Sequence, residues 1–549
     1  MTPNPASPSP DGARAGWVLP CAAILLLALA LYLTAPMDGS FWWSDAPRHA
    51  LNGIFLKDAL LAAPFANPTR FAFDYYIQYP ALTILFYPPL LYVVSAPFFL
   101  LFGDSHATAQ AVVALHGLAL GCGMYALARQ WMDRWAALAT ALLLLGLPEI
   151  ALWGRQMMLE VPALTWLVWA AYFAVRHGRT HGTWSLALFA LFALFSLYTK
   201  LSMVFVVAVL ALYLLLARGG RLLAERRLWI VAALTVIGTV PLIFITLKFG
   251  QANVQSVSGI ADTAASRRTL AGWVWYARQL PEMAGIAGLA LAAVGLVVSR
   301  TSAAWLRAER VMLGLWFVVC YLALSFIELK EARHGVILLV PLAVWAGFGL
   351  DWLARRIGGT GGLRPALAVG VAGALAAWTV AAQTVPRVDG YREAALRAAA
   401  AAPPGSAVLF SGKRDGSFIF SMRTATGRPD LQTVRADKLF LEIAVRREIG
   451  VAERAHSEAE MIERIRNLGV AVVVAQRDFW TDLAQMAQFQ RVLDGPDFEE
   501  IGRIAVAANV PVEDRELRLY RVTGEIRPRP RESSIDLPII GRSIEGGSR

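Results

Sequence analysis

At four points in the 549-residue chain a carboxylate or a cation stands at the end of an apolar run. Asp45, Arg48 and His49 lie in FWWSDAPRHALNG; Arg155 and Glu160 in WGRQMMLEVPA; Lys200 in LYTK; and Lys330, Glu331, Arg333 and His334 in ELKEARHG. Charge at a membrane boundary is costly unless it is solvated, paired or used. Acids and bases gathered at one level are the parts of proton transfer and anion binding. The plainer reading is snorkelling and interfacial anchoring, which helix ends show as a rule. Two details argue for more. Glu160 precedes Pro162, a helix-start signal, so its carboxylate is expected on a helix N-terminus, where the dipole favours the anion. Lys200 occupies a very short junction between two apolar runs, with little room for a solvated loop. His49, His106 and His334 share no ligand spacing, so no metal site is read from them.

The elements that position these residues follow from hydropathy. Hydrophobic residues make up 57% of the chain and charged ones 17%, against about a quarter in soluble domains. Apolar stretches of about twenty residues, each able to cross about 30 Å of hydrocarbon, recur from Trp17 to Thr384. The chain reads as a polytopic α-helical membrane protein. Its net charge of +11 sits in short loops, the signature that sets orientation, so no nucleic-acid partner is expected. The basic junctions are RQWMDR (129–134), RHGRTHG (176–182), RGGRLLAERR (218–227), SRTSAAWLRAER (299–310) and ARRIGGTGGLR (354–364). Placing all five in the cytoplasm gives eleven crossings, near 17–36, 107–128, 134–150, 159–175, 184–199, 201–217, 228–248, 282–298, 311–327, 335–353 and 365–385. The N-terminus is then inside, on an uncleaved first helix, and the C-terminus outside. The run PPLLYVVSAPFFLLF (88–102) breaks the alternation; short and proline-bearing, it reads as an interfacial or re-entrant helix. The first external loop thus spans 37–106 and begins with Asp45.

From Pro386 the pattern changes. AVLFSG (407–412), VAVVVA (470–475), IGRIAV (501–506) and LRLYRV (517–522) read as strands. SEAEMIERIRNLG (457–469) reads as a helix closed by glycine. A small extracytoplasmic α/β domain is expected over 386–524, following a membrane domain over 1–385, with a disordered tail over 525–549. GKRDGS (412–417) reads as a basic turn. Cys21, Cys122 and Cys320 all lie in apolar segments, so no disulfide framework is expected.

The order of these motifs resembles the GT-C superfamily of membrane glycosyltransferases, of the family 39/83 type that includes protein O-mannosyltransferases and aminoarabinose transferases acting on lipid A. The features are an acid after the first helix (Asp45); FYPPLLYVVSAPFFLLFG (86–103), containing Tyr87; and LALGCGMYALARQWMDRWAALATALLL after it. WGRQMMLEVPALTWLVWAAYFAV (153–175), LFALFSLYTKLSMVFVV (191–207) and ARHGVILLVPLAVWAGFGL (332–350) follow. The resemblance covers roughly residues 15–355. Two positions depart from it. Asp45 is followed by Ala46, Pro47, Arg48 and His49 rather than by an acid and a tyrosine, and the second acidic loop offers Glu160 rather than aspartate.

The resemblance implies an inverting transferase in the cell (inner or plasma) membrane. It would take a sugar from a polyprenyl phosphate or diphosphate and give it to a lipid, glycan or protein acceptor outside the cytoplasm. It implies Asp45 as general base, with Glu160 as the other catalytic acid, and Lys200, Arg333, Arg48 and Arg155 around the donor phosphate. His49, Tyr87, His334 and Lys330 are secondary candidates. Partners would be the donor lipid and membrane lipids. No cofactor is expected, a divalent metal being the minor alternative. Two rivals stand beside this reading: a lipid or sugar transporter or flippase, and a non-catalytic receptor for an envelope lipid. Transporters often show inverted repeats and broken helices near the midplane, which the sequence lacks.

Overall fold

The computed structural model describes residues 10–547 apart from 85, 251–265, 304, 360, 444–446, 448–449, 514, 531 and 538–541. Two compact units emerge: Met1–Ala35, Val113–Ile243 and Asp262–Gln383 form one, and Pro36–Val112, Phe244–Ala261 and Thr384–Arg549 the other.

The first unit is a helical bundle. Its helices include α1 (Pro10–Leu33), most of α5 (His106–Ala128), α6 (Arg134–Gly146), α7 (Pro148–Trp153), α8 (Glu160–Thr180), α9 (Thr183–Leu197), α10 (Val204–Arg218) and most of α11 (Arg226–Phe249). They continue with α12 (Leu270–Ala284), α13 (Ile286–Val298), α14 (Arg307–Phe326), α15 (Val336–Gly358) and α16 (Leu363–Ala382). Every one of the eleven expected segments carries a helix. Among the described residues six are long and apolar enough to cross a membrane, or seven if the pair Leu270–Ala284 and Ile286–Thr301, bent by 109°, counts as one span. Arg134–Gly146 and Thr183–Leu197 are apolar but short. Where α13 meets α15 the backbones touch: a Cβ on Gly295 would run into the carbonyl of Trp345, and one on Gly349 into that of Leu291. Small residues permit such approaches when no hydrophobic effect draws helices together.

The second unit combines the segment after α1 with a sheet domain. Its helices α2 (Asp45–Ala62) and α4 (Leu90–Phe102) cross at Gly53, where a Cβ would come within 2.8 Å of the Phe99 ring. At 13 residues α4 is about 20 Å long, short of a bilayer's hydrocarbon. Between them lies α3 (Pro68–Gln78), capped by the Asn67 side chain. Leu51 and Phe55 of α2 pack with Phe71 and Tyr75 of α3 and with Ile419 of the sheet domain.

That domain holds a five-stranded sheet in the order β3-β2-β6-β9-β7: β2 (Ala407–Ser411), β3 (Gln432–Arg435), β6 (Val470–Ala475), β7 (Phe498–Ala505) and β9 (Glu516–Val522). Strand β2 runs parallel to β3 and β6, while β9 is antiparallel to β6 and β7. The central β2 and β6 are buried along their whole length, which explains their uninterrupted apolar sequences. Short pairs β1 (Val388–Asp389) with β8 (Ala507–Ala508) and β4 (Leu441–Ile443) with β5 (Val451–Glu453) complete it. The helices are α17 (Tyr391–Ala401), α18 (Asp415–Ala425), α19 (Ala436–Phe440), α20 (Glu458–Asn467) and α21 (Ala484–Val492). In α20 the Ser457–Glu460 capping box and Gly469 at φ +67° are the expected start and stop.

The segment beyond Gly524, expected to be disordered, instead contains an antiparallel hairpin, β10 (Glu532–Leu537) with β11 (Arg542–Gly547); residues 531, 538–541 and 548–549 lie outside the described ones.

Candidate functional site

Polar residues gather in two separate clusters, one in each unit. In the bundle, α8 begins at Glu160, as its proline signal implies. Helix α9 packs along α8 through Phe173 and Phe192, stacked at 5.5 Å, and through Ser196, whose hydroxyl donates to the Ala163 carbonyl at 3.3 Å. That packing brings the end of α9 beside the start of α8. Lys200, leading into the 3₁₀ turn Leu201–Met203, donates to Glu160 Oε1 at 2.8 Å. Glu160 is buried and its Oε2 has no partner among the described residues. The charge of Arg333 acts on the same carboxylate. Arg333 itself donates to Glu331, with His334 4.0 Å from that acid. The arrangement is a buried acid held by a lysine, with one acid oxygen and two of the lysine's N–H donors without a partner among the described residues.

An expected phosphate ligand and a secondary candidate of this unit, Arg155 and Lys330, do other work. Arg155 is buried; it donates to the Ala151 carbonyl at 3.0 Å, the Val380 carbonyl at 3.3 Å and Gln383 Oε1 at 2.5 Å, tying α7 to the end of α16. Lys330 donates to the carbonyls of Leu324, Ser325 and Ile327, closing the C-terminus of α14. A cation beside an open helix end satisfies orphan carbonyls before it can reach a ligand.

In the second unit Asp45 is the first residue of α2, half-buried at a helix N-terminus. One turn on, His49 Nδ1 is 2.9 Å from the hydroxyl of Tyr92 on α4, and its ring meets Tyr87 edge-on at 5.0 Å. Asp45 acts on the ionisation of the same Tyr92. The approach to α2 is fixed by His106, stacked on Phe41 at 3.7 Å and accepting from the Gly39 N–H at 3.3 Å. Asn52 binds both the amide of Thr83, at 2.8 Å, and its hydroxyl, at 3.1 Å.

Arg48 does not stand open as expected for a phosphate ligand: its Nη2 reaches both oxygens of Asp415, at 2.8 and 2.7 Å. Asp415 is shared with Arg435 Nη1 at 2.8 Å, and Arg435 grips Asp437 with two further bonds of 3.0 and 2.6 Å. Burial disfavours the charges of Arg435 and Asp437, but each partner's opposite charge prevails, holding the arginine above and the aspartate below its usual range. Thus GKRDGS is more than a turn. It opens α18, supplies Asp415, and sends Arg414 over the Trp42 ring at 4.6 Å. Gly416 packs against α2: a Cβ there would meet Pro47 at 3.0 Å. A second group joins Lys57 to Asp104 at 2.5 Å and Arg423 to Asp58 at 2.6 Å, with the Tyr75 hydroxyl donating to Asp58 at 3.0 Å. Asp415, Arg435 and Arg423 are charged members of these clusters that sequence reasoning missed. The D-G-S after a strand is a readable helix start, but no sequence signal names its partner on α2.

Residues 87–245 match the sequence model of the dolichyl-phosphate-mannose-protein mannosyltransferase family, a segment that includes Tyr87, Arg155, Glu160 and Lys200. Among curated proteins none matches significantly. The fold is shared with ArnT from Cupriavidus metallidurans. In the apo state, TM-score 0.60 and 16% identity cover 93% of this chain and 98% of that one. Bound to undecaprenyl phosphate, TM-score 0.61 and 15% identity cover 92% and 98%. It is also shared with the oligosaccharyltransferase AglB from Archaeoglobus fulgidus in complex with an inhibitory peptide and a dolichol phosphate, at TM-score 0.51 and 13% identity over 86% and 71%. The chain therefore has the GT-C fold with a C-terminal sheet-containing domain.

Proposed function

We propose that this chain transfers a sugar from a polyprenyl-phosphate-linked donor to an acceptor on the extracytoplasmic face of a cell membrane, as a multi-pass enzyme with eleven crossings and with α4 lying at the interface. The observation that carries this reading is the incompletely satisfied Glu160–Lys200 pair, which lies within the segment matched to a mannosyltransferase family on a GT-C fold. The undecaprenyl phosphate held by ArnT supports the donor class.

An acceptor hydroxyl is a weak nucleophile, and Asp45 takes its proton as the new bond to the anomeric carbon forms. The bond from that carbon to the phosphate oxygen breaks, inverting the centre, and the lipid phosphate leaves. Negative charge grows on the leaving oxygen, where Lys200 and Arg333 stabilise it. Lys200 has donors to spare, since Glu160 uses one of three. Glu160 orients the lysine. Arg48, Arg155 and Lys330 are assigned to structure, because their donors are engaged by Asp415, Gln383 and helix-end carbonyls. No cofactor is part of the proposal.

The test is transfer of a radiolabelled sugar from undecaprenyl phosphate in membranes containing the protein. Wild type releases label from the lipid, and Lys200→Met slows it by about 10²–10³, the usual effect of losing one electrostatic donor. Label that stays on the lipid in membranes with wild-type protein and a broad set of acceptors, while the protein exchanges whole lipid between leaflets, would establish the transporter reading instead.

A further inference from the structure

Where α2 ends, the chain turns apolar side chains outward. Residues 60–67, LLAAPFAN, close α2 and lead to α3, and no residue over 59–69 carries a charge. Leu60 is 70% exposed, Leu61 65% and Phe65 90%. The turn satisfies much of its own backbone. Ala63 is left-handed, and the N–H groups of Ala63, Phe65 and Asn67 donate to the carbonyls of Ala59, Ala63 and Pro64 at 2.9, 2.7 and 3.2 Å. Helix α4 carries a second outward face of the same kind. Its inner side packs on α2 at Gly53 through Ser95 and Phe99, while Val93, Leu100, Leu101 and Phe102 are each more than half exposed.

One ion pair brings the two faces together. Lys57, near the end of α2, reaches Asp104, just past the end of α4, at 2.5 Å. Leu61 lies one turn beyond Lys57, about 6 Å further along the axis. Phe102 immediately precedes the Gly103 cap and Asp104. Both apolar faces thus adjoin one charged rim, Lys57, Asp58, Asp104 and Arg423, joined by contacts of 2.5–3.3 Å. Chain connectivity decides what lies next to them. Helix α5 starts at His106, within about 15 Å of Phe102 along the chain, and is long and apolar enough to cross a membrane. An apolar surface beside the entry of such a helix, edged by ions, has the build of an interfacial element with acyl chains on one side and headgroups on the other. Large apolar patches are rare on surfaces that face only water.

We propose that the turn over 60–66 and the outward face of α4 form one wedge that inserts into the leaflet α5 enters, with Phe65 at its tip and lipid acyl chains as its partner. Lys57, Asp58, Asp104 and Arg423 stay at headgroup level. The inference rests on the reading of α4 as an interfacial helix and adds to it the α2–α3 turn, which that reading leaves in water. The turn's internal hydrogen bonds suit it to this, since backbone groups entering lipid find no water to bind. The wedge gives the helix that begins with Asp45 a lipid contact at its other end.

The test is nitroxide accessibility in the full-length protein in lipid nanodiscs, in a background of Cys21→Ala, Cys122→Ala and Cys320→Ala. A label is placed singly through Phe65→Cys, Leu101→Cys or Lys413→Cys, the last at an exposed charged position of the sheet domain. All three positions are exposed, so the label displaces no packed side chain. Oxygen concentrates in hydrocarbon and a nickel chelate in water. The labels at 65 and 101 should relax mainly through oxygen, and the label at 413 mainly through nickel. Nickel access at 65 equal to that at 413, with 101 shielded, would overturn the wedge and leave α4 at the interface. Nickel access at both 65 and 101 would overturn the interfacial reading as well. Shielding of 65 from both reagents would place protein there, a second copy or another chain, and would equally overturn the lipid assignment.

Discussion

Glu160–Lys200 in the bundle and Arg48–Asp415–Arg435 in the second unit are built from the same materials and finished differently. Asp415 has both oxygens taken by arginines from two segments. Glu160 has one oxygen taken and one without a partner among the described residues, though it is the more deeply buried of the two. A satisfied buried pair returns part of its desolvation cost and gains specificity of position; an unsatisfied one keeps paying unless something else binds. On the proposed function, the contrast separates polar residues that hold a structure from those that await a ligand. It also explains why Arg48, Arg155 and Lys330, cations at membrane-boundary junctions like Lys200, fall on the other side of the line.

Three measurements press on that contrast, starting where the effect is largest. Asp45→Asn keeps the shape of the residue and removes its proton affinity, so sugar transfer should fall by about 10²–10⁴ while undecaprenyl phosphate still binds. Glu160→Gln should fall less, because it disturbs Lys200 without removing the base; the reverse order would hand the proton-accepting role to Glu160. Asp415→Ala strands two largely buried arginines and should cost about 3–5 kcal/mol of stability, read by denaturant unfolding. A cost near zero would mean that the domain is not fastened to α2 through this residue.

The smallest effect belongs to Lys413, one residue before Arg414, whose pair with Glu513 is exposed at 53% and 82%. Lys413→Ala should change stability by less than about 1 kcal/mol.

The elements themselves were legible. Apolar runs mark each of the eleven expected segments, and each of them carries a helix. The strands β2, β6, β7 and β9 follow from apolar runs, and α20 from its capping box. Asp45 and Glu160 were also legible, since a charge at the end of an apolar run stands out against its surroundings. The length criterion by itself supports six or seven spans among the described residues: Trp17–Leu33, Arg134–Gly146 and Thr183–Leu197 are apolar but short, and Glu160–Thr180 does not meet it.

What the sequence alone determined, then, is where charge meets hydrophobicity, a property of neighbours along the chain. Which charge meets which was decided by tertiary structure. Arg48 and Asp415 are 367 positions apart, and Glu160 and Lys200 are 40 apart. No local pattern encodes either pairing. They arise because α3 and α18 pack on α2, and α9 on α8, through apolar side chains that are energetically indifferent to the ions they bring together. Burial of hydrophobic surface fixes the helices, and the charges must then take whatever partner the packing delivers.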